Sequence, residues 1–302
     1  MERQRQRRTV DGFLLLDKPY GFTSNRALQR VKRLFDARKA GHTGSLDPLA
    51  TGMLPICFGT ATRVAQYALA ADKSYAVTGR LGVRTDTDDA DGRIIEQGTV
   101  PELTLGAVKA VLEGYVGVSE QTPPMYSALK HEGQRLYELA RRGIEVEREA
   151  RPISIRSIEL GAFEPPDIEM RVVCSKGTYI RTLVADIAAS LGTIGHVAAL
   201  RRLTVGSFVD ERMWTLEELE VLAIDGWTAL DRTLRPTDTA LLGWPEVVLD
   251  GEALSRVRHG QTIKIEPPDH SGCHRIYSAD RVFVGIGVVN ERGELAPRRI
   301  LS

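Results

Sequence analysis

Residues 41–52 read Gly41-His42-Thr43-Gly44-Ser45-Leu46-Asp47-Pro48-Leu49-Ala50-Thr51-Gly52, with three glycines, one imidazole, one carboxylate and a proline directly after the carboxylate. Glycine lets a backbone turn sharply and approach a ligand closely. A proline after Asp47 pushes that aspartate out of the helical region into extended or turn geometry. The run therefore predicts a stiff loop that holds Asp47 outward, beside His42 and several backbone N–H groups. The same composition also suits an ordinary tight connection, with His42 and Asp47 as a simple hydrogen-bonded pair. A Walker-type phosphate cradle needs a Gly-Lys-Ser/Thr ending, and a dinucleotide loop needs G-x-G-x-x-G after a strand; neither is present. The residues alone yield a candidate nucleophile or general base.

Upstream, Gly12 to Asp17 reads as a short buried strand, and Lys18-Pro19-Tyr20-Gly21 as a turn. Ser24 suits the N-cap of a helix running to about Ala37. Its apolar residues Ala27, Leu28, Val31, Leu34 and Phe35 have helical spacing, and Arg26, Arg30, Lys32 and Arg33 fill the other face. Residues 1–10 read as a disordered basic arm.

Downstream, a helix is expected near Ala61 to Ala71, then a strand from Lys73 to Val83 with Tyr75, Val77, Gly79, Leu81 and Val83 on one face. By period alone Tyr75 is a core aromatic. Arg84 to Asp91 is an acidic run, but Ala90 and Gln97 fall where an EF-hand needs oxygen ligands, so it reads as an acidic turn. Leu103 to Tyr115 suits a helix, 121–130 a proline-led irregular segment, and Gln134 to Arg142 a basic helix. Arg151 to Phe163 and Asp167 to Ser175 read as adjacent strands, the second turning Ile168, Met170, Val172 and Cys174 inward. Lys176 to Leu183 is a strand-to-helix junction. A helix is expected around Thr215 to Leu222, and 244–302 holds short strands and turns.

The chain's 302 residues allow one large unit and a small one, 11–240 and 244–302. Hydrophobic and charged contents of 42% and 26% are those of a globular protein. No apolar run approaches the roughly 20 residues of a membrane span, and the charged N-terminus lacks the apolar core of a secretory signal. Cys57, Cys174 and Cys273 fit neither a disulfide framework nor a CxxC metal site, which makes the cytoplasm the default compartment. Net charge is zero, from 40 basic and 40 acidic residues, which argues mildly against nucleic acid. Distribution argues the other way: basic residues cluster at Arg3 to Arg8, Arg26 to Lys39 and Arg135 to Arg151, each a possible phosphate-facing patch or a solvated surface.

The run GHTGSLDPLATGMLP resembles the catalytic motif of the TruB family of tRNA pseudouridine synthases. Lys-Pro-x-Gly at Lys18, Lys73-Ser74-Tyr75, the T-D-T-x-D-x-x-G run ending at Gly92, P-x-x-S-A-x-K ending at Lys130, and CSKGTYIRTL from Cys174 to Leu183 also resemble that family. The likeness runs from about Asp11 to the C-terminus and is weaker beyond 244. It implies an α+β chain with the pseudouridine synthase fold, a mixed, mostly antiparallel central sheet, and a small C-terminal β-barrel that is PUA-like and binds RNA.

It further implies isomerisation of uridine 55 in the tRNA T-loop, with no cofactor and no metal. Asp47 would be the catalytic carboxylate, acting as a nucleophile or through a glycal route. Arg181 would pair with Asp47 and favour its ionised form, and Asp89 would hold Arg181. The nucleotide would flip out to be reached, with Tyr75 and Leu200 sandwiching the uracil. His42, Tyr179 and Lys18 would complete the substrate-binding set, His42 steadying the rearranged loop and the Lys18 turn being largely structural. The partner would be tRNA, held by T-loop shape and at the acceptor-stem elbow. No membrane and no obligate protein partner are expected, and the enzyme would be a monomer.

Overall fold

The computed structural model describes residues 7–266 and 270–301. In chain order the first elements are β1 (Gly12–Lys18), α1 (Ser24–Leu34), β2 (Ala40–His42), β3 (Thr51–Phe58), α2 (Ala65–Ala70), β4 (Lys73–Leu81), β5 (Val83–Thr85), β6 (Ile94–Gln97) and α3 (Leu105–Gly114). β7 (Gly117–Gln121), β8 (Lys130–His131), β9 (Gln134–Arg135), α4 (Leu136–Arg141), β10 (Arg151–Glu164), β11 (Asp167–Cys174), α5 (Ile180–Ser190) and β12 (Gly195–Val205) follow. The C-terminal part holds α6 (Leu216–Ile224), α7 (Trp227–Asp231), β13 (Glu246–Leu249), α8 (Gly251–Arg258), β14 (Ile263–Lys264), β15 (Gly272–Ser278), β16 (Phe283–Val289) and β17 (Glu294–Ile300).

The large sheet runs β1-β3-β12-β4-β11-β10-β7, with β2 added to β3. Its pairings are antiparallel except β12 with β3, where Arg201 and Arg202 lie against Thr51 and Gly52. This is the expected mixed, mostly antiparallel sheet. β1 is apolar from Phe13 to Leu16 because both of its faces are covered there. Leu14 and Leu16 join a core beneath α1, α5 and α6, while Phe13 and Leu15 join a second core with Phe208, Leu241 and Ile286. The second core ties the large sheet to the C-terminal one through Trp244, Phe283 and Ile286. The C-terminal sheet, ordered β13-β15-β16-β17-β14, is a curled half-barrel with its own core around Val257, Ile276 and Leu295.

Four local expectations change. Thr23, not Ser24, caps α1, its hydroxyl accepting from Arg26 N–H; Ser24 is the first helical residue and bonds elsewhere. The helix expected near 61–71 is a 3-10 turn over Gly59–Arg63 followed by α2. β4 stops at Leu81, because Gly82 takes a positive φ of 81° and Val83 opens a separate hairpin. The basic arm is shorter than expected: Val10 is buried, and Arg8 bonds backbone to backbone with Asp36 and Arg38 and pairs with Asp231. The arm's first six residues lie outside the described ones.

Candidate active site

The 41–52 run forms the end of β2, a loop over 43–50, and the start of β3. The loop is fastened at each end and in the middle. Gly52 takes a φ of 94°, and a Cβ there would stand 2.2 Å from the Arg202 carbonyl oxygen, so only glycine lets β3 run this close to β12. At the centre, Ser24 Oγ accepts from Leu46 N–H at 2.7 Å and lies 3.1 Å from the Leu46 carbonyl, to which it donates. Just after Asp47, the Pro48 carbonyl accepts from Gly21 N–H at 2.9 Å and faces Lys18 Nζ at 3.4 Å.

The result is a half-exposed carboxylate on a rigid mount. Asp47 Oδ2 accepts from Arg181 Nε at 2.9 Å, with 42% of its side chain exposed and only 4% of the arginine's. The guanidinium's other nitrogens donate to the Thr87 carbonyl at 2.7 Å and the Tyr126 carbonyl at 2.6 Å. Asp89 Oδ2 lies 3.7 Å from Arg181 Nε, a charge contact and not a hydrogen bond. Burial raises the Asp89 pKa above the usual carboxylate value, against hydrogen bonds from Thr87 and the Asp91 backbone. Arg181 sits at the start of α5 because Gln121 grips the turn before it, accepting from Tyr179 N–H at 2.7 Å and donating to the Tyr179 carbonyl at 3.1 Å.

Asp47, Asp89, Arg181 and His42 share one cavity of about 720 Å³, walled also by Tyr126 and by Arg135, Tyr137 and Arg141 of the β9–α4 segment. His42 Nδ1 is buried without a hydrogen-bond partner among the described residues, and burial, then the Arg202 charge, lower its pKa. Both influences favour the neutral imidazole. Leu200 lines an adjoining cavity of about 540 Å³ with Tyr20, Leu49 and Arg201. Tyr75 is buried on the same sheet face, opposite Arg202 in the β4–β12 pairing, while Leu200 is opposite Val77. Burial raises the pKa of both Tyr75 and the half-buried Tyr179.

Lys18, expected in the substrate-binding set, lines neither the 720 Å³ nor the 540 Å³ cavity. It is fully buried, and Nζ donates to the Phe22 carbonyl at 2.6 Å and the Pro19 carbonyl at 3.0 Å besides facing Pro48. Each of the three ammonium donors faces a carbonyl, so Lys18 acts on the turn that carries it. Arg202 is the residue that sequence reasoning missed. Fully buried, it donates from Nε to the Met53 carbonyl at 2.7 Å and from a terminal nitrogen to the Gly44 carbonyl at 3.2 Å, bracing the loop from behind. The signal was in Leu200-Arg201-Arg202: strand alternation puts one of two consecutive arginines on the Leu200 face.

This architecture is the pseudouridine synthase fold. The chain superposes on a crystal structure of a Cbf5–Nop10–Gar1 complex with a TM-score of 0.73, at 24% identity, over 96% of this chain and 84% of that one. A structure of an H/ACA RNP bound to a substrate RNA containing 2′-deoxyuridine matches with a TM-score of 0.73, at 22% identity, over 96% and 85%. Residues 32–180 match the TruB family pseudouridylate synthase N-terminal domain, 181–242 the tRNA pseudouridylate synthase B C-terminal domain, and 245–301 the pseudouridine synthase II TruB C-terminal domain. The chain is 50% identical to tRNA pseudouridine synthase B of Nitrosococcus oceani over 100% of this chain and 98% of that one. It is 49% identical to the protein of the same name in Coxiella burnetii over 98% and 96%, and 48% identical to that of Yersinia pestis over 100% and 95%. The chain belongs to the TruB family of pseudouridine synthases.

Proposed function

We propose that this enzyme isomerises uridine 55 of the tRNA T-loop to pseudouridine, with Asp47 as its catalytic carboxylate. The observation that carries the reading is the Asp47–Arg181 pair at the cavity: one carboxylate oxygen held by a buried guanidinium, the other without a hydrogen bond from the described residues. The free oxygen is the one that meets the ribose.

Isomerisation breaks the N1–C1′ bond and makes a C5–C1′ bond to the same base, with no change in oxidation state. In the nucleophilic route the Asp47 oxygen bonds to C1′, and the N1–C1′ electron pair leaves on uracil. The base turns, C5 attacks C1′, and the carboxylate departs; C5 then loses its proton and N1 gains one. In the glycal route the carboxylate takes the C2′ proton as the N1–C1′ pair leaves on uracil; C5 then bonds to C1′ as that proton returns to C2′, and C5 loses its proton while N1 gains one. Both routes need the carboxylate aimed at the ribose, and the Arg181 bond fixes that orientation.

A stacked uracil cannot reach Asp47, so the nucleotide flips into the cavity. Tyr75 and Leu200 are the proposed flanks of the uracil, although neither lines the Asp47 cavity itself; Tyr179 stands near the carboxylate, and His42 steadies the rearranged loop. The cations Arg135 and Arg141 at the rim suit phosphates, and recognition is mainly of T-loop shape. The 244–302 unit, read as PUA-like, extends the contact toward the acceptor stem, with 11–240 as the catalytic domain. The proposed setting is cytoplasmic, acting as a monomer without an obligate protein partner; no helix among the described residues is long and apolar enough to cross a membrane.

The test is tritium release from a tRNA transcript labelled at uracil C5. Release that disappears when uridine 55 is replaced by cytidine supports the assignment. Absent release despite tight tRNA binding would overturn it in favour of a non-catalytic RNA-binding role.

A further inference from the structure

Tyr20 follows the Lys18-Pro19 pair and leaves 61% of its surface exposed, yet its hydroxyl is engaged: it donates to Asp91 Oδ1 at 2.6 Å. The bond joins the turn after β1 to the acidic loop between β5 and β6. Tyr20 lines the 540 Å³ cavity and Asp91 the 720 Å³ one, so the bond joins a wall residue of each.

Both ends of this contact lead to Asp47. On one side Gly21 N–H donates to the Pro48 carbonyl at 2.9 Å, directly after Asp47 in the chain. On the other, Asp91 N–H donates to Asp89 Oδ1 at 3.2 Å, and the other Asp89 oxygen stands 3.7 Å from the Arg181 nitrogen that holds Asp47. The contacts close a ring through Asp47, Pro48, Gly21, Tyr20, Asp91, Asp89, Arg181 and back to Asp47. A half-exposed carboxylate held by a single donor can turn about its side-chain bonds. Tying its arginine, through two aspartates, to the backbone beside it limits that turning.

We propose that Tyr20 is a positioning residue for the isomerisation, acting through its hydroxyl and Asp91 on the orientation of Asp47. This rests on the functional reading above. The aromatic ring has no part in that role, although an exposed tyrosine beside a nucleotide cavity also makes a stacking surface. The two roles separate cleanly by substitution, because phenylalanine keeps the ring and drops the bond.

The experiment measures single-turnover tritium release, KM for tRNA and Tm for the wild type, Tyr20→Phe, Asp91→Ala, Asp91→Asn and the Tyr20→Phe/Asp91→Ala pair. Tyr20→Phe and Asp91→Ala each slow turnover about 3- to 10-fold, short of the 10²-fold that a full ångström of misplacement costs. The pair is no slower than Asp91→Ala alone, since both remove one bond. Asp91→Asn, whose amide oxygen still accepts, stays within about twofold of the wild type. KM and Tm do not move. A wild-type rate in Tyr20→Phe, a loss confined to KM, a rate loss that tracks Tm, or multiplicative losses in the pair would each overturn the proposal. A wild type without tritium release would overturn the functional reading and this proposal together; wild-type release with an unaltered Tyr20→Phe rate overturns this proposal alone.

Discussion

Replacing Lys18 by methionine separates the cost of a buried charge from the worth of its bonds. Burial, opposed by the Asp47 charge and reinforced by that of Arg202, lowers the Lys18 pKa from 10.5 to about 8. That gap is worth about 3 kcal/mol against the charged amine in the folded protein. Methionine removes the penalty but strips the Phe22 and Pro19 carbonyls of charged donors, at about 1.5–3 kcal/mol each. The Pro48 carbonyl keeps its bond from Gly21. The net loss at pH 7 is therefore about 0–3 kcal/mol, because the relieved burial offsets much of the lost hydrogen bonding. The pH dependence is the sharper test. Between pH 8 and 10.5 the unfolded wild type keeps the Lys18 proton that the folded state has released. The unfolded state then binds more protons, so wild-type stability relative to Lys18→Met rises with pH by about 1.4 kcal/mol per unit. The gap between the two proteins widens by about 3 kcal/mol across that window and is flat below pH 7. Urea unfolding of both proteins from pH 6 to 10.5, followed by tryptophan fluorescence, reads this directly. A gap that stays constant with pH, or narrows, would refute the buried-ammonium argument.

Arg181→Lys keeps the charge but cannot serve Asp47, Thr87 and Tyr126 from one nitrogen; turnover falls by about 10²-fold or more while tRNA affinity is retained, as single-turnover and filter-binding assays would show. Gly52→Ala forces a side chain into the Arg202 carbonyl at a positive φ, and urea unfolding should register a loss of about 3 kcal/mol or more. Ser24→Ala leaves the buried Leu46 N–H without an acceptor, costing about 1–3 kcal/mol by the same measurement, with slower turnover from a loosened loop.

The parts of the site that depend on residue type and local spacing were legible in the sequence. The glycines and Pro48 announced the loop, and the period of two placed Tyr75 and the Ile168 to Cys174 series inward; Arg181 was marked only by the resemblance of the CSKGTYIRTL run to the family. What needed three dimensions was the pairing of strands far apart in the chain. Nothing local says that β12 enters between β3 and β4, yet that insertion sets Arg202 behind Gly44 and makes Gly52 obligatory. Ser24 illustrates the same limit. Its chemistry suits an N-cap, but Thr23 is one residue better placed, which frees the Ser24 hydroxyl for Leu46. Lys18 reads as part of a turn, and only the folded turn shows three carbonyls converging on it.

The central claim is that the free oxygen of Asp47 carries the chemistry. Asp47→Asn keeps size and shape and removes the negative charge. Measured side by side with the wild type, single-turnover tritium release from C5-labelled tRNA should fall by at least about 10³-fold, with the dissociation constant for tRNA within about threefold of the wild-type value. Release within tenfold of the wild type, at equal tRNA binding, would contradict the account.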